Sequence, residues 1–134
     1  MKIFTNGCFD VIHRGHIDLL EFSKSFGDVT VGLNSDESVK RLKGEGRPFN
    51  SQENRKRVLE SIRYVDRVII FDEDTPYELI RLLSPDLIVK GGDYLASDVV
   101  GADLCPVRIF DTVQGFSTTM TLGKMNKSEK IVES

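Results

Sequence analysis

The 134-residue chain has no tryptophan and contains only two cysteines and two histidines. Cys8 and Cys105 are far apart and belong to no recognisable motif, so they predict no disulfide framework and fit a reducing cytoplasm. A zinc site needs at least three ligands of the right type, and His13 and His16 are the only histidines. We therefore expect no metal site built from protein ligands.

Long apolar runs and an excess of positive charge are also missing. No apolar run approaches the roughly 20 residues that span a bilayer, and no signal peptide precedes the first predicted strand. A net charge of −3 argues against general nucleic-acid binding. We expect a cytoplasmic protein with no membrane or nucleic-acid partner. We also expect a single domain, 1–134, with a core over about 1–123 and a polar tail over about 124–134.

Short apolar runs alternate with amphipathic segments along the chain. The apolar runs predict five strands, at 2–5, 29–33, 68–71, 87–90 and 107–110. Helices are predicted between them at 17–26, 37–42, 51–64 and 75–83, with a last helix after 117. This alternation predicts an α/β fold, a Rossmann-like doubly wound parallel sheet of five strands. In such a sheet, the loops that follow the strands line one crevice.

The first strand leads directly into Gly7-Cys8-Phe9-Asp10, followed by His13 and His16 around a glycine. Residues three apart on a helix share a face, so both imidazoles can reach one ligand. The N–H groups at the start of the following helix offer a second element that binds phosphate. A surface accident, half of a metal site and a buried core pair remain alternatives for the two histidines. The position after the first strand favours phosphate.

Three further loops carry groups suited to a nucleotide. Lys40 and Lys43 lie in a basic, glycine-containing loop that fits a lid over phosphates, although a solvated loop has the same composition. Gly91 and Gly92, before Asp93, allow a base or ribose to lie against the backbone, although an ordinary turn also uses glycine. Ser117, Thr118 and Thr119 are typical of a helix cap and also of a second anion site.

Two arginines, Arg55 and Arg63, fall on a similar face of the predicted helix over 51–64. Exposed arginines usually contribute only to solubility. Here they neighbour the predicted phosphate site, so we expect Arg55 to bind phosphate and regard Arg63 as a weaker candidate.

The histidine motif at 13–16 and the Ser-Thr-Thr motif at 117–119 together resemble the cytidylyltransferase-like nucleotidyltransferases. The segments at 34–48, 73–76 and 85–94 are similar to the adenylyltransferase domain of ADP-heptose synthesis enzymes, and the likeness covers about residues 1–120. Bifunctional members also carry a sugar kinase domain, for which 134 residues leave no room. The resemblance implies transfer of AMP from ATP to a sugar phosphate, most simply a heptose 1-phosphate, with Mg²⁺ bound through the phosphates.

The resemblance also implies a role for each motif residue. His13, His16 and Lys43 would act on the triphosphate and the transition state, with help from Lys40. Nucleotide contacts would come from Gly7, Cys8, Phe9, Gly91, Gly92, Asp93, Ser117, Thr118 and Thr119. Asp10 would face the acceptor or the magnesium ion, unless its role is structural. Relatives commonly form homodimers, and the segment 63–66 is a candidate interface.

Two departures leave alternatives open. Arg55 and the segment 60–66 look more like glycerol-3-phosphate cytidylyltransferase, which uses CTP, but Thr112 stands where that family has an arginine. The chain is also shorter than the heptose enzymes between Gly101 and Val107, so one edge of the substrate pocket differs. A nucleotide-binding module without turnover is the non-enzyme alternative.

Overall fold

A computed structural model describes residues 1–92 and 94–111 of the chain. Five parallel strands form one sheet in the order β3-β2-β1-β4-β5. The strands are β1 (Lys2–Gly7), β2 (Asp28–Asn34), β3 (Arg67–Phe71), β4 (Leu87–Gly91) and β5 (Val107–Phe110). This is the predicted doubly wound sheet, and β1 and β4 are the neighbours at which the strand order reverses. The predicted last helix, with Ser117, Thr118 and Thr119, lies outside the described residues, as does Asp93.

Four α-helices connect the strands. They are α1 (Arg14–Lys24), α2 (Asp36–Lys43), α3 (Gln52–Glu60) and α4 (Tyr77–Leu83), and a short 3₁₀ helix (Ala96–Asp98) lies between β4 and β5. In the part of the chain that the structure describes, no helix has the length and apolarity to cross a membrane.

Buried side chains fill a core on each face of the sheet. Ile3 and Val89 belong to the core beneath α1 and α3, whereas Phe4 and Ile88 belong to a smaller core that includes Ile80 of α4. Successive strand residues point to opposite faces, so adjacent residues of β1 and β4 serve different cores. The apolar runs of the sequence reflect burial on both faces.

Several helix boundaries differ from the predicted ones. Helix α1 begins at Arg14 instead of residue 17, because the His13 side chain caps its N-terminus. Helix α3 ends at Glu60, so Arg63 follows the helix instead of lying on it. Helix α4 begins at Tyr77 instead of residue 75, and its N-cap is Pro76. In α3, Leu59 is buried, whereas Val58 is 48% exposed.

Gly101 lies where a side chain has no room. Its φ is +97°, and a Cβ would sit 2.7 Å from Ile88 Cδ1 and 2.9 Å from Ile80 Cδ1. Gly44 has a similar φ of +99° but no described atom within 4 Å of the same position. Alanine substitutions at Gly101 and Gly44 therefore separate the energetic cost of a positive φ from the cost of steric crowding by the core.

We predict that Gly101→Ala lowers the free energy of unfolding by about 1–3 kcal/mol more than Gly44→Ala does. Both substitutions strain the backbone, but only the first forces a methyl group into the buried core around Ile80 and Ile88. Urea denaturation of both variants and the unmodified chain measures the difference. Equal losses in the two variants would show that the core around Gly101 has room to adjust.

Candidate active site

The two histidines cap helix α1 reciprocally. His13 Nδ1 accepts a hydrogen bond from the Gly15 backbone N–H at 3.1 Å, and His16 Nδ1 accepts one from the His13 backbone N–H at 3.1 Å. Both Nδ1 atoms are therefore acceptors, and each neutral imidazole carries its proton on Nε2. The ring centroids are 4.1 Å apart, as the three-residue spacing predicts.

The capping changes how the helix start contacts a ligand. The Gly15 N–H donates to the His13 ring, and the His16 N–H donates to the His13 carbonyl. Two of the amides expected to bind phosphate therefore already donate hydrogen bonds within the protein. The imidazole Nε2–H groups supply further donors for an anion at this end of α1.

His16 is held neutral in a buried position. Burial first, and then the charges of His13 and Lys43, lower the pKa of His16 to about 4. Its Nε2 is buried and has no hydrogen-bond partner among the described residues. A buried N–H without a partner costs free energy, so this atom indicates a ligand site.

A cavity of about 230 Å³ opens in front of the histidines. His13, His16, Lys43 and Arg47 contribute nitrogen groups to its lining, beside Cys8, Asp10 and Val11. We call this space the histidine cavity. Lys40 and Lys43 lie on helix α2 and not in a loop as predicted, and Lys43, its last residue, reaches the cavity beside the β1–α1 turn. Two imidazole donors with two side chains that are cationic at neutral pH suit a polyphosphate.

Phe9 shapes the turn between β1 and the histidines. Its φ is +46°, an uncommon conformation for a residue other than glycine, and its side chain is 1% exposed. The Phe9 ring lies 5.2 Å from the His16 ring, so the strained turn supplies a wall that keeps water from one side of the imidazole. Such strain is concentrated at functional sites.

Asp10 holds the basic loop against this turn. Its carboxylate accepts hydrogen bonds from the backbone N–H groups of Phe49 at 2.7 Å and Asn50 at 2.8 Å. Burial alone would raise the pKa of Asp10, but these two amides, with Arg55 and Arg47, hold it below its usual value. Of the alternatives for Asp10, the structural role is the one that these contacts support.

Arg55 lies inside the protein and is 1% exposed, against the expectation of an arginine exposed to phosphate. Its guanidinium donates to the carbonyls of Cys8 at 2.9 Å, Asn34 at 2.8 Å and Asn50 at 2.9 Å, and to Asp36 at 2.7 Å. Because protein acceptors occupy these donors, Arg55 positions the loops around the histidine cavity. Its position four residues before the buried Leu59 was the available signal for this orientation.

Arg47 is a cavity residue that the sequence analysis did not single out. Its Nε is buried and lies 3.6 Å from Asp10 Oδ2, and its guanidinium stacks 4.7 Å from the centre of the Phe49 ring. The ring and the carboxylate fix a cation at the mouth of the cavity. The density of basic residues over 40–47 was the only signal, and it did not distinguish Arg47 from Lys40.

The other predicted residues that the structure describes do not line the histidine cavity. Lys40 is exposed on α2 and does not line the histidine cavity. Arg63 is exposed, and its guanidinium lies 5.5 Å from the Tyr64 ring centre. Gly91 ends β4, and Gly92 has a φ of +108° that favours glycine. Gly7 ends β1, at the same rim of the sheet.

Comparison with known proteins finds relatives of this chain. A family model described as cytidylyltransferase-like matches residues 4–120. The chain is 52% identical over 130 residues to the bifunctional protein HldE of Aliarcobacter butzleri and 56% identical over 119 residues to that of Campylobacter concisus. These matches cover 96% and 87% of this chain but only 27% and 25% of the relatives. The chain thus spans about a quarter of their length.

A solved structure shares the fold over most of its length. The lipopolysaccharide core biosynthesis protein of Thermoplasma volcanium aligns with a TM-score of 0.68 and 28% identity, over 83% of this chain and 97% of that one.

We predict that Arg55→Met lowers the free energy of unfolding by about 3 kcal/mol, because three backbone carbonyls lose a charged donor. Arg57→Met, at an exposed position of the same helix, is the control and changes stability by about 0.5 kcal/mol or less. Urea denaturation measures both. If the two variants are equally stable, Arg55 does not hold the loops together.

We also predict that the His16 ring titrates near pH 4 and carries its proton on Nε2 at neutral pH. Because this pKa lies below the unfolded value of about 6.5, the unfolded state takes up the proton first. Stability is then constant above about pH 6.5 and falls toward pH 4, by on the order of 3 kcal/mol from this group. Long-range ¹H–¹⁵N NMR of the imidazoles tests the tautomer and the pKa, and an ordinary His16 titration near pH 6.5 would contradict both.

Proposed function

The chain belongs to the cytidylyltransferase-like family of nucleotidyltransferases, and from this premise we propose that it transfers AMP from ATP to a heptose 1-phosphate. The observation that carries the proposal is the unpartnered, buried Nε2–H of His16 facing a cavity that also contains Lys43 and Arg47. Similarity to the HldE proteins and to a lipopolysaccharide core biosynthesis protein supports a sugar phosphate as the acceptor.

The reaction proceeds by in-line displacement at the α-phosphorus of ATP. An oxygen of the acceptor phosphate forms a bond to that phosphorus, and the bond to the bridging oxygen of the β-phosphate breaks. Pyrophosphate leaves with the electron pair, and the product is an ADP-sugar. The attacking phosphate is already anionic, so the protein needs no nucleophile and no general base. Its contribution is positioning and charge stabilisation.

The histidine cavity supplies the donors for this charge. The Nε2–H groups of His13 and His16 donate to phosphate oxygens, and the low pKa of His16 keeps its Nδ1 available for the helix cap. Lys43 at the end of α2 and Arg47 in the loop that follows it neutralise the α-phosphate as charge builds there. Hydrogen-bond donors fixed in advance by the cap lose little by reorganisation during the reaction.

Contacts to the rest of the nucleotide follow the family motifs. Gly7, Cys8 and Phe9 border the α-phosphate, and Gly91, Gly92 and Asp93 contact the base and ribose. Ser117, Thr118 and Thr119 hold the departing phosphates, and Lys40 assists in binding.

Homodimer formation and a cytoplasmic location remain predictions from the sequence.

Mg²⁺ would enter with ATP, held by the phosphates and water. The carboxylate oxygens of Asp10, which lines the cavity, each accept a backbone N–H, so this residue is not oriented as a metal ligand. Within residues 1–92 and 94–111, no three His, Cys, Asp or Glu side chains are grouped for a metal ion. When bound, the ion would neutralise charge on the triphosphate.

A crossed assay tests the function. ATP and CTP are each combined with D-glycero-β-D-manno-heptose 1-phosphate and with glycerol 3-phosphate, and pyrophosphate release is measured. We expect release with ATP and the heptose 1-phosphate. Release with CTP and glycerol 3-phosphate would favour the cytidylyltransferase, and nucleotide binding without release in any combination would indicate a binding module.

We predict that His16→Asn lowers kcat by at least roughly a hundredfold while the chain stays folded. The asparagine side-chain oxygen can still accept from the His13 N–H, but the donor that faces the cavity is lost. Lys43→Ala should lower kcat similarly and raise the KM for ATP. The control is Lys56→Ala, which removes only a surface ion pair with Glu60. A near-normal rate for His16→Asn would rule out the proposed role of Nε2–H.

A further inference from the structure

Helix α2 carries Lys43 as its last residue, yet little apolar packing holds this helix to the rest of the protein. Of its eight residues, all of them described, only Ser38 and Val39 are buried. Residues 40–46 are exposed, so neither the last turn nor the loop that follows it has a hydrophobic anchor. A helix end without packing frays readily. The position of Lys43 beside the histidine cavity therefore requires polar contacts.

The segment that follows β3 supplies these contacts. The carbonyl of Phe71, at the end of β3, accepts a hydrogen bond from the backbone N–H of Ser35, the N-cap of α2, at 2.9 Å. One turn further along the helix, the Ser38 hydroxyl donates to the Glu73 carbonyl at 2.8 Å. The buried Ser38 Oγ also accepts from the side-chain amide of Asn34 at 3.0 Å. The segment 71–74 is thus fixed along the first half of α2.

Arg41 extends this row of contacts to the last turn of α2. It follows Ser38 by three residues and so lies on the same face of the helix. Its Nε donates to Asp74 Oδ1 at 2.9 Å, and its Nη2 donates to the Asp72 carbonyl. Among the described residues, no other side chain over 40–43 makes a hydrogen bond or an ion pair. Within the described part of the chain, Arg41 alone ties this turn to the segment 71–74.

Arg41 itself lies outside the histidine cavity, whereas Lys43 lines it. Residues two apart on an α-helix point in directions about 200° apart, so one turn presents Arg41 to the segment 71–74 and Lys43 to the cavity. A guanidinium that donates to two acceptors fixes direction as well as distance. The orientation of the last turn, and with it the position of Lys43, therefore depends on Arg41.

We propose that Arg41 is a positioning residue for the transfer reaction and holds the last turn of α2 so that Lys43 reaches the reacting phosphate. It acts through Lys43 and contacts no substrate. An exposed ion pair contributes little to stability, but a charge displaced by about 1 Å loses much of its effect on a transition state. This inference rests on the proposed function and adds to it a residue outside the cavity.

Arg41→Gln and Asp74→Ala test the proposal by removing the contact from either side. Arg81→Gln is the matched control, because Arg81 is 57% exposed against 49% for Arg41 and bonds Glu78 within its own helix. The substrates are ATP and D-glycero-β-D-manno-heptose 1-phosphate. We expect Arg41→Gln and Asp74→Ala each to lower kcat by about 5- to 20-fold, and Arg81→Gln to change it by less than about twofold.

A double variant distinguishes positioning from direct action. In a Lys43→Ala background, Arg41→Gln should lower kcat further by less than about twofold, because the group that Arg41 positions is gone. A direct phosphate contact, or a general loss of structure, would instead lower kcat by the same factor in both backgrounds. That result would overturn the proposal.

Amide hydrogen exchange tests the contact without the reaction. The Gly44 N–H donates to the Lys40 carbonyl at 2.9 Å and closes the last turn of α2. We expect this amide to exchange about fivefold faster in Arg41→Gln and Asp74→Ala than in the unmodified chain, and no faster in Arg81→Gln. Unchanged exchange in the first two variants would show that Arg41 does not hold the turn.

The outcomes separate this inference from the function on which it rests. If the unmodified chain releases pyrophosphate and Arg41→Gln keeps its kcat, the positioning role is overturned and the proposed function stands. If the unmodified chain releases no pyrophosphate with this acceptor, the proposed function fails, and the role of Arg41 in that reaction fails with it.

Discussion

The buried guanidinium of Arg55 is the interaction on which the site depends. It joins the carbonyl of Cys8 after β1, that of Asn34 at the end of β2 and that of Asn50 before α3. These groups come from three segments far apart in the sequence. A buried arginine is stable only when its donors are satisfied, so it fixes the three segments relative to one another.

Asp10 and the histidine cap extend this arrangement toward the cavity. Asp10 binds the loop that carries Arg47, while His13 and His16 fix the start of α1 by bonding its backbone amides. The side chains of Asp10, His13 and His16 are thus each bonded to backbone on one side. The atoms left over, the Nε2 of His16 above all, face the space where a phosphate would lie. Preorganised donors of this kind suit a reaction that consists mainly of positioning and charge neutralisation.

The sequence predicted the parts of this protein that depend on local patterns. Alternating apolar and amphipathic runs gave all five strands, and the three-residue spacing of His13 and His16 correctly placed both rings together. The prediction that Arg55 binds phosphate was wrong. Helical periodicity shows which face of a helix a residue occupies, but it does not show that backbone carbonyls from other segments lie beside that face. Arg47 was missed for a similar reason. Its partner Asp10 is far from it in the chain, and the two come together only in the folded protein.

The reciprocal cap also bears on how this site can change by mutation. Each imidazole depends on the backbone around the other for its orientation, so replacing one histidine loosens its neighbour as well as removing a donor. The two positions should therefore show strong epistasis: a double replacement costs less than the product of the two single effects. A double-mutant cycle on kcat measures this coupling, and simple multiplicative losses would show that the rings act independently. Such a coupled pair is difficult to replace one residue at a time by a different phosphate-binding arrangement. Either single substitution already removes most of the rate enhancement that the two histidines provide together.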